Sequence, residues 1–146
     1  KDYDYAFASS ANRYRGVPEI ALHEFDAAKP LEIDGIEITP ISGSHSRFEI
    51  TGFRIDKVAY LTDFKAISEE EIAKLFGVDT LVVNALRFEP HDSHFAVRDA
   101  LALIERVKPR RAYLTHMSHE IGLHEEAEKR LPEGVYFAYD KLKIEI

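Results

Sequence analysis

An α/β fold is predicted, a β-meander followed by β-α-β-α-β, and three observations predict it. Residues 31–62 alternate apolar and polar side chains, with turn dipeptides between the runs. Beyond Asp63 the apolar spacing changes to the helical period. The run DTLVVNAL then reads as a strand buried on both faces, as in a parallel sheet.

The elements follow in order. The first thirty residues mix aromatics with arginines (YDYAF, ANRYRGVP), show no period and read as a loop with one helical turn. LEIDGIEITPI is two alternating runs about Asp34-Gly35, a hairpin signal. FEITGFRI and VAYLT form the next strand pair, joined at Asp56-Lys57. Ser68 and Glu71 make a capping box for the helix SEEEIAKLF, and Gly77 ends it. FAVRDALALIERV has its apolar residues at helical spacing, RRAYLT is a strand, and HEIGLHEEAEKRL is a further helix. VYFAYDKLKIEI is a final strand pair turning near Asp140-Lys141.

A chain of 146 residues, 45% hydrophobic, is long enough for one core and too short for two, so residues 1–146 are expected to form a single domain. No apolar run approaches the roughly 20 residues that cross a bilayer, and no membrane association is expected. With no cysteine in the chain, disulfides, thiolate metal sites and cysteine nucleophiles are excluded, so any metal must be held by imidazole and carboxylate. That usage fits a cytoplasmic location. The net charge of −7 argues against broad contact with nucleic-acid backbone. The only methionine is Met117, so the chain lacks an initiator and is expected to be a piece of something longer.

The chemistry concentrates at strand ends. If Val58–Thr62, Thr80–Asn84 and Arg111–Thr115 share one sheet through helical crossovers, their C-terminal ends lie on one edge, where α/β sheets place ligands. Asp63 and His116 each follow the word AYLT at such an end, and His94 opens a helix on the same edge. His45, in SGSHS, reaches that edge only if its strand runs in the same sense, which a meander leaves open. Singly, each has a plain reading, since a loop histidine is usually solvated and an aspartate after a strand usually forms a turn. Their convergence favours metal binding or catalysis. His91, His119 and His124 are read as ordinary polarity, the last two lying five apart, off the i, i+4 spacing. Arg13, Arg15, Arg47 and Arg87 could meet an anionic substrate but rank below ordinary surface charge.

The run through GVPEI, GFRIDKVAYLTD, LVVNALRFEPHDSHFAVRDALAL, RRAYLTHMSHEIGLH and LPEGVYFAYD resembles the C-terminal half of metallo-β-lactamase-fold metallohydrolases. The branch nearest in pattern contains the phosphoribosyl cyclic phosphate phosphodiesterase, with the Z-type tRNA 3′-processing ribonuclease more distant. The resemblance implies half of an αββα sandwich. It implies that His45 binds one metal, Asp63 bridges two and His116 binds the second, with His94 as the catalytic histidine beside the scissile phosphate. The cofactors would be two divalent ions, manganese or zinc, with iron as a third candidate.

The family's HxHxDH motif is absent from this chain. The chain is therefore expected to be the C-terminal part of a longer enzyme, poorly active alone, whose partner is the missing N-terminal half from the same gene; a homodimer is admitted too. One sheet face, LVVNAL included, would then meet water. The implied activity is metal-dependent hydrolysis of a small phosphodiester, cyclic ones included, a phosphodiesterase reaction. Its rivals are a lactonase, a thioesterase or a tRNA nuclease on the same fold, and a non-catalytic binding domain.

Overall fold

The computed structural model describes residues 23–145. The expected loop and helical turn before that point, with Arg13 and Arg15, lie outside the described residues. The hairpin signal produces β1 (Leu31–Ile33) and β2 (Ile36–His45), with Asp34 and Gly35 at φ 51° and 80°, the left-handed pair that a two-residue hairpin turn demands. β3 (Phe48–Ile55) and β4 (Val58–Leu61) follow, again turning on a left-handed residue, Asp56. β5 (Thr80–Asn84), β6 (Arg111–Thr115) and β7 (Val135–Phe137) complete one seven-stranded sheet in sequence order, antiparallel through β4 and parallel from β4 to β7.

The crossovers carry α1 (Glu69–Ala73), α2 (Val97–Val107) and α3 (His124–Glu128). All three lie on one face of the sheet. Ile72, Ala100, Leu103, Val107 and Ala127 from the helices join Ala59, Leu61, Leu81, Val83, Leu114 and Phe137 from the strands in one buried cluster. Among the described residues no helix is long and apolar enough to cross a membrane.

Several boundaries differ from expectation for identifiable reasons. Ser68 caps α1 by accepting from the Glu71 N–H, but the Glu71 carboxylate does not return the bond. It accepts instead from the Ser42 N–H at 2.8 Å and pairs with Lys74, tying α1 to β2. The helix expected over HEIGLHEEAEKRL is divided, because Gly122 at φ 89° and ψ −160° separates a 3-10 turn, His119–Ile121, from α3. Only the first half of the final strand pair is a strand. After β7 the chain turns at Lys141 (φ 70°), and Arg111 donates to the Glu145 carbonyl beside the start of β6.

The second sheet face has no helix on it among the described residues. Registers place Pro40, Phe53, Tyr60, Val82, Tyr113 and Tyr136 in one row across six strands. Phe53, Tyr60 and Tyr136, with Ile55 beside them, are exposed, Tyr60 by 49%. The expectation that LVVNAL would itself meet water is corrected here, since every residue of β5 is buried. β5 is central, and Val82 sits in register between Tyr60 and Tyr113, whose rings stand taller than its own side chain.

Candidate metal and catalytic site

Two hairpins separate β2 from β4, so β2 runs in the same sense as β4, β5 and β6 and its end reaches the same edge. His45 is the last residue of β2, Asp63 follows β4 by one residue, and His116 follows β6 directly. His94 does not open a helix: α2 begins at Val97 with Ala96 as its cap, and His94 lies in the preceding loop. The two AYLT words end alike. Asp63 and His116 both take left-handed backbone, φ 67° and 62°, a conformation uncommon for residues with a Cβ and held only where surrounding contacts over-determine it.

Those contacts join the neighbours of each candidate residue. Ser44, beside His45, exchanges backbone hydrogen bonds with Lys65 and Ala66. Phe64, beside Asp63, accepts from the N–H of Phe95, the residue after His94, at 2.7 Å. Asn84, fully buried at the end of β5, accepts the Phe64 N–H at 2.8 Å and donates to the Phe64 carbonyl at 3.0 Å, completing with its side chain what a strand would do with backbone. Leu86 donates to the Phe95 carbonyl and accepts from Ser118, two residues past His116. The Phe64 ring lies over Gly43, where any Cβ would collide with it.

The side chains thereby meet. His94 Nε2 and His116 Nε2 each stand 3.3 Å from Asp63 Oδ1, while the Thr62 hydroxyl donates to Oδ2 at 3.1 Å. The His94 ring lies 4.5 Å from that of His45 and 4.8 Å, stacked, from that of His116. One ligand atom from each of His45, Asp63 and His94 can be chosen so that all lie within 4.8 Å of one another. His116 joins through Asp63. All four residues expected at the site are brought together.

The donor set suits a divalent cation. His45 Nδ1 donates to the Ser93 carbonyl at 2.8 Å, which leaves Nε2 as the lone-pair nitrogen, the arrangement found in metal-ligating histidines. Neutral imidazoles with a carboxylate fit zinc, manganese or iron.

Burial and close neighbours shift two groups of the cluster. Burial pushes the Asp63 carboxyl up, but the Thr62 hydroxyl, the field of His116 and the contact with His94 outweigh it and hold its pKa below the ordinary value. Burial, then His116 and His45, push His94 below the ordinary imidazole value despite the hydrogen bond to Asp63 that raises it. A depressed histidine binds its proton less readily folded than unfolded. Its contribution to stability is thus complete above about pH 6.5 and is lost as pH falls through the folded pKa. In the metal-free chain the His94 ring is expected to titrate below pH 6.5 by NMR of its carbon-bound protons. A midpoint above that value would show that Asp63 outweighs burial.

Residue patterns missed three contributors. His91, read as loop polarity, has its ring 5.3 Å from that of His94. Ser93 touches three histidines, and Asn84 shows in the sequence only as part of a buried run. The repeated histidine of HDSH was the one available signal. Arg87 pairs with Glu120 and donates to the Pro90 carbonyl, bracing the His94 loop.

The model of the beta-lactamase superfamily domain matches residues 2–117. The chain belongs to that family. Its sheet and helices are those of the metallo-β-lactamase fold, shared by metal-dependent hydrolases. A solved structure described as a new diphosphatase from the PhnP family is 34% identical, with a TM-score of 0.84 over 90% of this chain and 51% of its own. The short form of human tRNase Z, 18% identical with a TM-score of 0.63 over 80% of this chain and 45% of its own, shares the fold. An octanoyltransferase of Porphyromonas gingivalis is 33% identical over 90% of this chain. This family member spans only 27% of that relative and about half of the diphosphatase.

Proposed function

We propose that this chain supplies one side of the active site of a metal-dependent hydrolase that cleaves a small phosphodiester, cyclic ones included. The observation that carries the reading is the meeting of His45, Asp63, His94 and His116 on one sheet edge. The 34% identity to a diphosphatase supports phosphoryl chemistry and favours a second substrate reading, a phosphoanhydride. The octanoyltransferase supports no acyl-transfer reading, because this chain spans 27% of it.

His45 would hold one cation and His116 a second, with Asp63 facing both. Two bound divalent ions would bring the pKa of water toward neutrality and offset charge on the phosphoryl oxygens. His94 holds its Nε2 proton toward the centre of the cluster, where it can donate to the leaving oxygen. Thr62 and Ser93 keep Asp63 and His94 from turning away. The remaining ligands are assigned to an HxHxDH-bearing half of the same gene product, which would also cover the row of Phe53, Tyr60 and Tyr136.

The test compares this chain with the longer protein by elemental analysis and by hydrolysis of a nitrophenyl phosphodiester, a diphosphate, a lactone and a thioester. We expect about two metals per chain only in the longer protein, in keeping with two-metal sites. Phosphodiester cleavage should disappear on chelation. Faster turnover of lactone or thioester, or indifference to chelator, would overturn the reading; faster diphosphate turnover would select the anhydride.

A further inference from the structure

We propose that Ser93 is the positioning residue of the histidine cluster, its three polar groups each favouring the nitrogen that a different imidazole presents. Its carbonyl receives His45 Nδ1 at 2.8 Å, its hydroxyl meets His94 Nδ1 at 2.9 Å, and its N–H donates to His91 Nδ1 at 3.3 Å.

The assignment follows from which groups can donate. A carbonyl oxygen only accepts, so His45 carries its proton on Nδ1 and keeps a lone pair on Nε2. An ionised carboxylate likewise only accepts, so His94 must donate from Nε2 to Asp63 Oδ1, 3.3 Å away. In the neutral ring Nδ1 is then an acceptor, and the proton between it and Ser93 belongs to the hydroxyl. His91 Nδ1, 3.3 Å from the same hydroxyl, already accepts from the Ser93 N–H, so the single hydroxyl proton is left to His94. Adjacent rings therefore hold opposite tautomers, His45 through the Ser93 carbonyl and His94 through Asp63 with the Ser93 hydroxyl seconding it: a lone pair outward on His45 and a proton outward on His94. That is the difference between a residue fit to coordinate a cation and one fit to donate to an oxyanion. The consequence for the reaction rests on the function proposed above; the tautomers themselves do not.

The experiment is imidazole nitrogen NMR on the metal-free, nitrogen-15-labelled chain at about pH 8, where ordinary histidines are neutral. In the unmodified chain His45 should show Nδ1–H and His94 should show Nε2–H. Ser93→Ala keeps the carbonyl, so the His45 pattern should persist, while the His94 tautomer ratio falls about five-fold, the scale of one net hydrogen bond. Ser93→Thr should restore it. An unchanged His94 pattern in Ser93→Ala, or Nδ1–H on His94 in the unmodified chain, would overturn the proposal. If Ser93→Ala disturbs His45 as well, Ser93→Thr decides: a restored His94 pattern upholds the role of the hydroxyl and an altered one removes it. Hydrolysis is not read, so a wrong substrate leaves this result standing, and a failed tautomer assignment leaves the hydrolase reading intact.

Discussion

Asp63→Ala is expected to abolish retention of the metal pair in the longer protein and hydrolysis with it, whereas His94→Ala retains the metals and slows turnover by about 10²–10⁴-fold, the usual contribution of a positioned proton donor. The contrast rests on geometry. Asp63 Oδ1 is the point shared by His94 and His116, and no other carboxylate groups with these histidines among the described residues. Removing it leaves imidazoles with nothing to offset cationic charge. His94 touches Asp63 through one nitrogen and Ser93 through the other, so its removal leaves His45 on the Ser93 carbonyl and leaves Asp63 with His116 and Thr62. Elemental analysis beside kcat separates the two effects. Metal loss in His94→Ala would make His94 a ligand and overturn the division of roles.

Asn84→Ala is expected to cost about 2–3 kcal/mol of folding stability, because the Phe64 N–H is left buried without an acceptor. Its carbonyl keeps the Phe95 N–H. Asn84→Asp should be worse, since it removes the donor to the Phe64 carbonyl and places a carboxylate where no residue surface is exposed. Both should also loosen metal binding, because Phe64 fixes the backbone next to Asp63. Denaturant melts with a metal titration check this. A loss below about 0.5 kcal/mol, the range of ordinary surface changes, would show that the two bonds do not anchor the loop.

Much of the architecture was legible because it is written in short-range terms. Asp34-Gly35 and Asp56-Lys57 fall where the chain reverses, and the three parallel strands were readable from their apolar runs. The convergence of Asp63 and His116 followed from strand sense alone. What escaped depends on contacts between segments distant in the chain. His45 meets the Ser93 carbonyl 48 residues away, and no local pattern encodes that bond. Glu71 satisfies the capping pattern in composition, yet its carboxylate is taken by Ser42 from β2. Gly122 was visible in HEIGLH, but helical spacing on both sides of it hid the break that its left-handed backbone makes.

The aromatic row has an optical consequence. The chain contains no tryptophan, so tyrosine dominates its intrinsic emission. Of the four tyrosines within the described residues, Tyr60, Tyr113 and Tyr136 share one row on the uncovered face, with the last two rings 5.7 Å apart. Whatever comes to lie over that face changes the surroundings of most of those fluorophores at once. Its arrival can therefore be followed in unlabelled protein as a change of tyrosine emission, or as energy transfer if the covering surface brings a tryptophan of its own.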